Sequence, residues 1–166
     1  MIKLFCEGNE IPKSTYENVL NNYDFPDYDS VPNNTLYHNT HLENIDSIMK
    51  NGLKIENSKQ LEYSGNMLWA TSTPNQKGYG GVTVAFTLDG ISEYEQVNTD
   101  EFCIYEDIPP NNILFMDLPV CGRDFQVYRL SDIPKLVSKY GENKVIDVCD
   151  RQPEQYVSIR DVMSYI

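Results

Sequence analysis

The chain has 166 residues and a formal net charge of −12, with 25 Asp and Glu against 13 Lys and Arg. That length predicts a single domain over residues 1–166 with a sizeable core, and no apolar run approaches the ~20 residues of a membrane span. So acidic a chain is a poor match for nucleic acid, whose binding draws on Lys and Arg contacts to phosphate; it suits a basic protein partner or a well-solvated surface.

Residues 1–11 read as a short strand and turn. Over 12–23, Tyr16, Val19 and Leu20 recur at helical spacing behind Pro12. Asp, Pro and Asn mark 24–34 as a loop. Leu36, His38 and Thr40 fall on one face of a strand, with Tyr37 and Asn39 on the other. Residues 42–50 read as an amphipathic helix stopped by Asn51-Gly52, and 58–66 as a polar loop of the kind that can close over a site. Val82, Val84, Phe86 and Leu88 alternate with Thr83, Ala85 and Thr87, a strand signal. Residues 89–100 read as a loop holding Tyr94. A strand then follows with Glu101, Cys103 and Tyr105 on one face, and an apolar strand over 113–116. Helical patterns over 131–140 and 158–165 predict a helical or irregular extension from 118 to 166.

Three passages set polar or aromatic residues on or beside these strands. The first is Tyr37-His38-Asn39-Thr40. The second is Leu68-Trp69-Ala70-Thr71, followed after about ten residues by Tyr79. The third is Glu101, heading a strand that runs on to Ile108-Pro109-Pro110-Asn111-Asn112-Ile113. In this order and spacing they resemble the ADP-ribosyltransferase superfamily, in its His-Tyr-Glu group, the one of diphtheria toxin and the poly-ADP-ribose polymerases. The resemblance spans about residues 35–117. It implies an α+β fold of split, antiparallel-rich β-sheets around an NAD cleft with flanking helices.

The resemblance also implies a catalytic set of His38, Tyr79 and Glu101, with His38, Thr40, Trp69, Ala70, Thr71 and Tyr79 against NAD, the substrate. Tyr94, just ahead of the glutamate strand, takes a position that often reads the acceptor in such transferases. Each residue has an ordinary alternative. His38 and Trp69 fit a core position, Tyr79 is one of 12 tyrosines, and Glu101 is one of many solvated acids. Among the glutamates, Glu93-Tyr94-Glu95 resembles the Glu-x-Glu of arginine-specific transferases but leads into Gln96-Val97-Asn98, a poor strand. Glu106 is the remaining rival, and Glu101 is preferred to all three. Thr99, two residues before Glu101, argues against arginine as the acceptor.

The chemistry suits these residue types. Breaking a nicotinamide–ribose bond passes through an oxocarbenium-like sugar, as glycoside hydrolysis does. A carboxylate at ~4 Å in an effective dielectric of about 20 attracts that charge by roughly 4 kcal/mol, on the order of a thousandfold in rate. Aromatic faces hold the cationic nicotinamide for ~0.5–2 kcal/mol.

The expected function is therefore mono-ADP-ribosylation of a macromolecular acceptor, a protein before a nucleic acid. A bacterial toxin or a phage effector fits by resemblance. NAD hydrolysis, nucleic-acid modification and a catalytically inactive binding or inhibitory module on the same fold stay open. Cys6, Cys103, Cys121 and Cys149 lack metal-ligand spacing, so no metal and reduced cytoplasmic thiols are expected. No Gly-x-Gly-x-x-Gly follows a strand, so NAD would not be held in the Rossmann manner.

Overall fold

The computed structural model describes residues 5–6, 9–10, 13–23, 27–55, 67–74, 81–117, 120–121, 127–128, 135, 138–139 and 147–148. They form a mixed α+β structure with two sheets. β1 (Phe5–Cys6) and β2 (Asn9–Glu10) make the short strand and turn expected at the start. α1 (Lys13–Asn22) follows, seating Val19 in the core.

The larger sheet is built from β3 (Thr35–Thr40), β4 (Leu68–Thr71), β5 (Val82–Thr87), β6 (Tyr94–Gln96), β7 (Glu101–Ile104) and β8 (Ile113–Asp117). Its order is β6-β7-β4-β3-β5-β8, every pairing antiparallel. β5 pairs with all six residues of β3 and is buried at every position. Alternation sends Val82, Val84 and Phe86 to one face. There they join Leu36, Leu68, Ala70, Ile104 and Met116 in the main core.

α2 (Ile45–Asn51), entered through a 3-10 turn at Leu42–Asn44, lays Ile45 and Ile48 on that core. It stops where its sequence says it should. Gly52 at φ +76 donates its N–H to Ile48 O at 2.8 Å, a conformation that disfavours any Cβ. A Cβ here would also sit 1.9 Å from Ile108 O. That carbonyl is engaged in a bridge to Leu53, with N–H···O bonds of 2.9 Å in each direction. On the opposite sheet face, Tyr28 packs edge-on to Phe115 at 5.3 Å and beside Tyr37 at 5.8 Å. Its hydroxyl donates to Asp117.

Two regions differ from expectation. Residues 94–96, read as loop, form an edge strand on β7, because pairing needs only main chain and none of their side chains is buried. Within the extension, β9 (Val120–Cys121), β10 (Val127–Tyr128) and β11 (Asp147–Val148) join β1 and β2 in the order β10-β9-β11-β1-β2. Lys135, Ser138 and Lys139 are helical, within the helix expected over 131–140. The expected loop over 58–66 and helix over 158–165 lie outside the described residues.

Candidate functional site

The three strands that carry the sequence motifs are neighbours: β4 lies between β3 and β7. Register aligns Tyr37 with Thr71 and Thr71 with Glu101, so these three residues form one row across the sheet. His38 is one residue along from that row, two strand spacings or about 10 Å from Glu101. Alternation gives His38 the Leu36 face and Glu101 the Tyr37 face.

β3 and β4 pair at one register position only, Tyr37 with Thr71. Beyond it a side chain replaces the ladder: His38 Nδ1 lies 2.7 Å from Trp69 O. A carbonyl can only accept, so the proton sits on Nδ1 and neutral His38 keeps Nε2 as an acceptor. Burial pushes the imidazole below its ordinary value of 6.5, partly offset by the bond to Trp69. His38 is thus a fixed, neutral acceptor rather than a cation.

Glu101 opens β7 with its side chain exposed. Asn98 holds it from both ends. The Asn98 amide donates to Glu101 Oε2 at 3.0 Å, and its Oδ1 accepts the N–H groups of Asp100 and Glu101 at 3.0 and 2.9 Å. Asp100 then ties this turn to the end of β4. Its Oδ1 accepts Ser72 Oγ at 2.6 Å and Thr73 N–H at 3.0 Å, and both its oxygens lie 3.1 Å from Thr73 Oγ1. Sequence reading missed Asn98 and Asp100 as positioning residues. The available signal was two Asx side chains flanking a turn, opposite the hydroxyls Ser72 and Thr73.

One row further on, Trp69 pairs with Cys103 and Cys103 with Glu95. The half-buried indole therefore shares a face with Glu101, as a diagonal cross-strand neighbour. Cys103 is a buried free thiol pushed up by burial and by Glu95. Glu95 receives the Tyr105 hydroxyl at 3.4 Å. Glu106 turns away, accepting Ser92 N–H at 2.6 Å. Tyr94 faces Ile104 at the far end of β7 from Glu101, its ring tilted 46° to that of Phe102 at 6.5 Å.

The remaining candidates serve local structure as well. Thr40 Oγ1 accepts the Asn44 amide at 2.8 Å, and Thr71 Oγ1 donates to Thr73 O at 2.6 Å. Ala70 is fully buried in the core, so its main chain alone could meet a ligand. Tyr79 lies outside the described residues.

Among the described residues no group of three or more His, Cys, Asp or Glu could hold a metal, and no helix is long and apolar enough to cross a membrane. Comparison with protein-family models, curated proteins and solved structures found no match to this chain.

Proposed function

We propose that the protein is a mono-ADP-ribosyltransferase that moves ADP-ribose from NAD to a macromolecular acceptor, a protein in preference to a nucleic acid. The observation that carries the reading is the His38 Nδ1–Trp69 O bond at the point where β3 and β4 part. It joins two motif strands through a side chain and makes Nε2 the ring's acceptor, which we assign to a ribose hydroxyl. Glu101, two strands away on β7 and on the opposite sheet face from His38, offers an exposed carboxylate whose direction is set by Asn98, so a dinucleotide that meets both must pass through the opening between β3 and β4.

In the reaction the nicotinamide–ribose bond breaks and its electron pair neutralises the pyridinium nitrogen. The anomeric carbon, now oxocarbenium-like, is attacked by an acceptor nucleophile that forms the new bond and releases its proton to solvent. Glu101 stabilises the developing positive charge, and the Trp69 indole on the same face offers its quadrupole to a cationic ring. His38 orients and does not exchange protons.

The test is transfer from tagged NAD to protein in a lysate treated with nuclease. Glu101→Gln is expected to lower labelling on the order of a thousandfold, with unchanged thermal unfolding because the side chain is exposed. Full labelling by the variant would overturn the assignment. Calorimetry that detects no NAD binding at millimolar ligand would favour a non-catalytic module.

A further inference from the structure

Among the described residues the exposed large hydrophobic side chains are Tyr94, Val97 and Tyr105, at 43%, 47% and 41% exposure. All three belong to the hairpin of β6 and β7 or its immediate flanks. β6 ends the sheet order and exposes each of its residues.

Its main chain is equally available. Tyr105 N–H donates to Glu93 O at 2.8 Å and Val97 N–H to Glu101 O at 2.9 Å. In an antiparallel ladder the intervening pairs point the other way. The N–H and C=O of Tyr94 and Gln96 therefore face outward, away from β7. The segment's own charge has one sign: residues 78–122 contain eight Asp and Glu and no Lys, Arg or His, with Lys54 reaching in to Asp107 at 3.2 Å.

We infer that the β6 edge docks an extended, Lys- or Arg-bearing peptide segment of a protein partner, added to the sheet as a further strand. Partner main chain pairs with Tyr94 and Gln96, and its cationic side chains meet Glu93 and Glu95. Their aliphatic stems rest on the aromatic and apolar residues of the hairpin. A second copy of this chain fits badly, because edge-to-edge pairing would bring Glu93 and Glu95 of one molecule against those of the other. Val97 sits opposite Glu101 in the hairpin, so a segment lying along β6 passes close to that carboxylate. As the acceptor side of the transfer proposed above, the inference rests on that reading; as a binding site it does not.

The experiment measures fluorescence anisotropy of the full chain with a labelled octapeptide alternating Lys with Val and Thr. Binding is expected to weaken with salt and to vanish when Glu replaces Lys in the peptide. Gln96→Pro removes an outward N–H and no ladder bond, and is expected to weaken binding about tenfold. Should the proline disturb the hairpin, the Glu93→Lys, Glu95→Lys double variant serves instead, with preference shifting to the Glu peptide. Three results would overturn the inference: no binding at millimolar peptide, equal binding by wild type and a folded Gln96→Pro, or a sedimenting dimer that Gln96→Pro dissolves. Failure of peptide binding with NAD turnover intact removes the docking site alone. Peptide binding without NAD turnover removes the transferase reading alone.

Discussion

β5 and β6 belong to one sheet and obey opposite rules. All six residues of β5 are buried, between the Phe86 core on one face and the Tyr37–Phe115 cluster on the other. All three residues of β6 are exposed, and among the described residues only β7 pairs with it. The first strand is held by side chains and by ladders on both edges, the second by one ladder and a turn. Burial gives β5 stability and leaves it nothing to offer a ligand; exposure leaves β6 weakly held with its side chains reachable.

The largest break in that comparison should come from β5. Phe86→Ala removes a fully buried ring and is expected to cost about 3–5 kcal/mol in denaturant unfolding. Next is a matched pair of glycines. Gly52 and Gly90 both have positive φ, +76 and +75, but only Gly52 has a carbonyl 1.9 Å from an added Cβ. Gly90→Ala should show the backbone cost alone, about 1 kcal/mol. Gly52→Ala should exceed it by roughly 1–3 kcal/mol or fail to fold, since backbone must shift. Equal losses at the two sites would mean the Ile108 contact relaxes freely.

Smaller effects belong to the site. Asp100→Ala removes the tie between Ser72, Thr73 and the Glu101 turn and should cost about 1 kcal/mol. On the transferase reading proposed above, it should also slow NAD turnover more than it alters NAD affinity, as expected of a positioning residue. His38 predicts a pH dependence. Its folded value lies below the unfolded 6.5, so below that pH the unfolded chain binds the extra proton. Its contribution to stability is complete above 6.5 and is lost as pH falls from 6.5 through the folded value. Unfolding midpoints measured from pH 8 to 5 should fall less steeply in His38→Gln than in wild type. The smallest effect is expected at the edge: Glu95→Gln should stay within about 0.5 kcal/mol of wild type, as exposed sites do.

Local patterns made much of the sheet legible. Alternating Val82, Val84 and Phe86 announced β5, and Asn51-Gly52 announced the end of α2. His38 and Glu101 were placed correctly on strands. β6 escaped because Tyr94-Glu95-Gln96 has no buried face to create a period, so its side chains look like those of a loop. Asn98 and Asp100 escaped because a turn-forming Asx looks the same whether it closes a loop or orients a carboxylate.

The sequence by itself determined which segments alternate, where α2 must stop and how far the acids outnumber the bases, since these depend on neighbours within a few residues. Only the tertiary structure decided that β4 would lie between His38 and Glu101. It likewise decided that the His38 imidazole would stand in for a ladder bond to Trp69, and that an acidic segment would become an open sheet edge. Strand order and register are set by contacts tens of residues apart, and a main-chain hydrogen bond leaves no mark on the residue type that makes it.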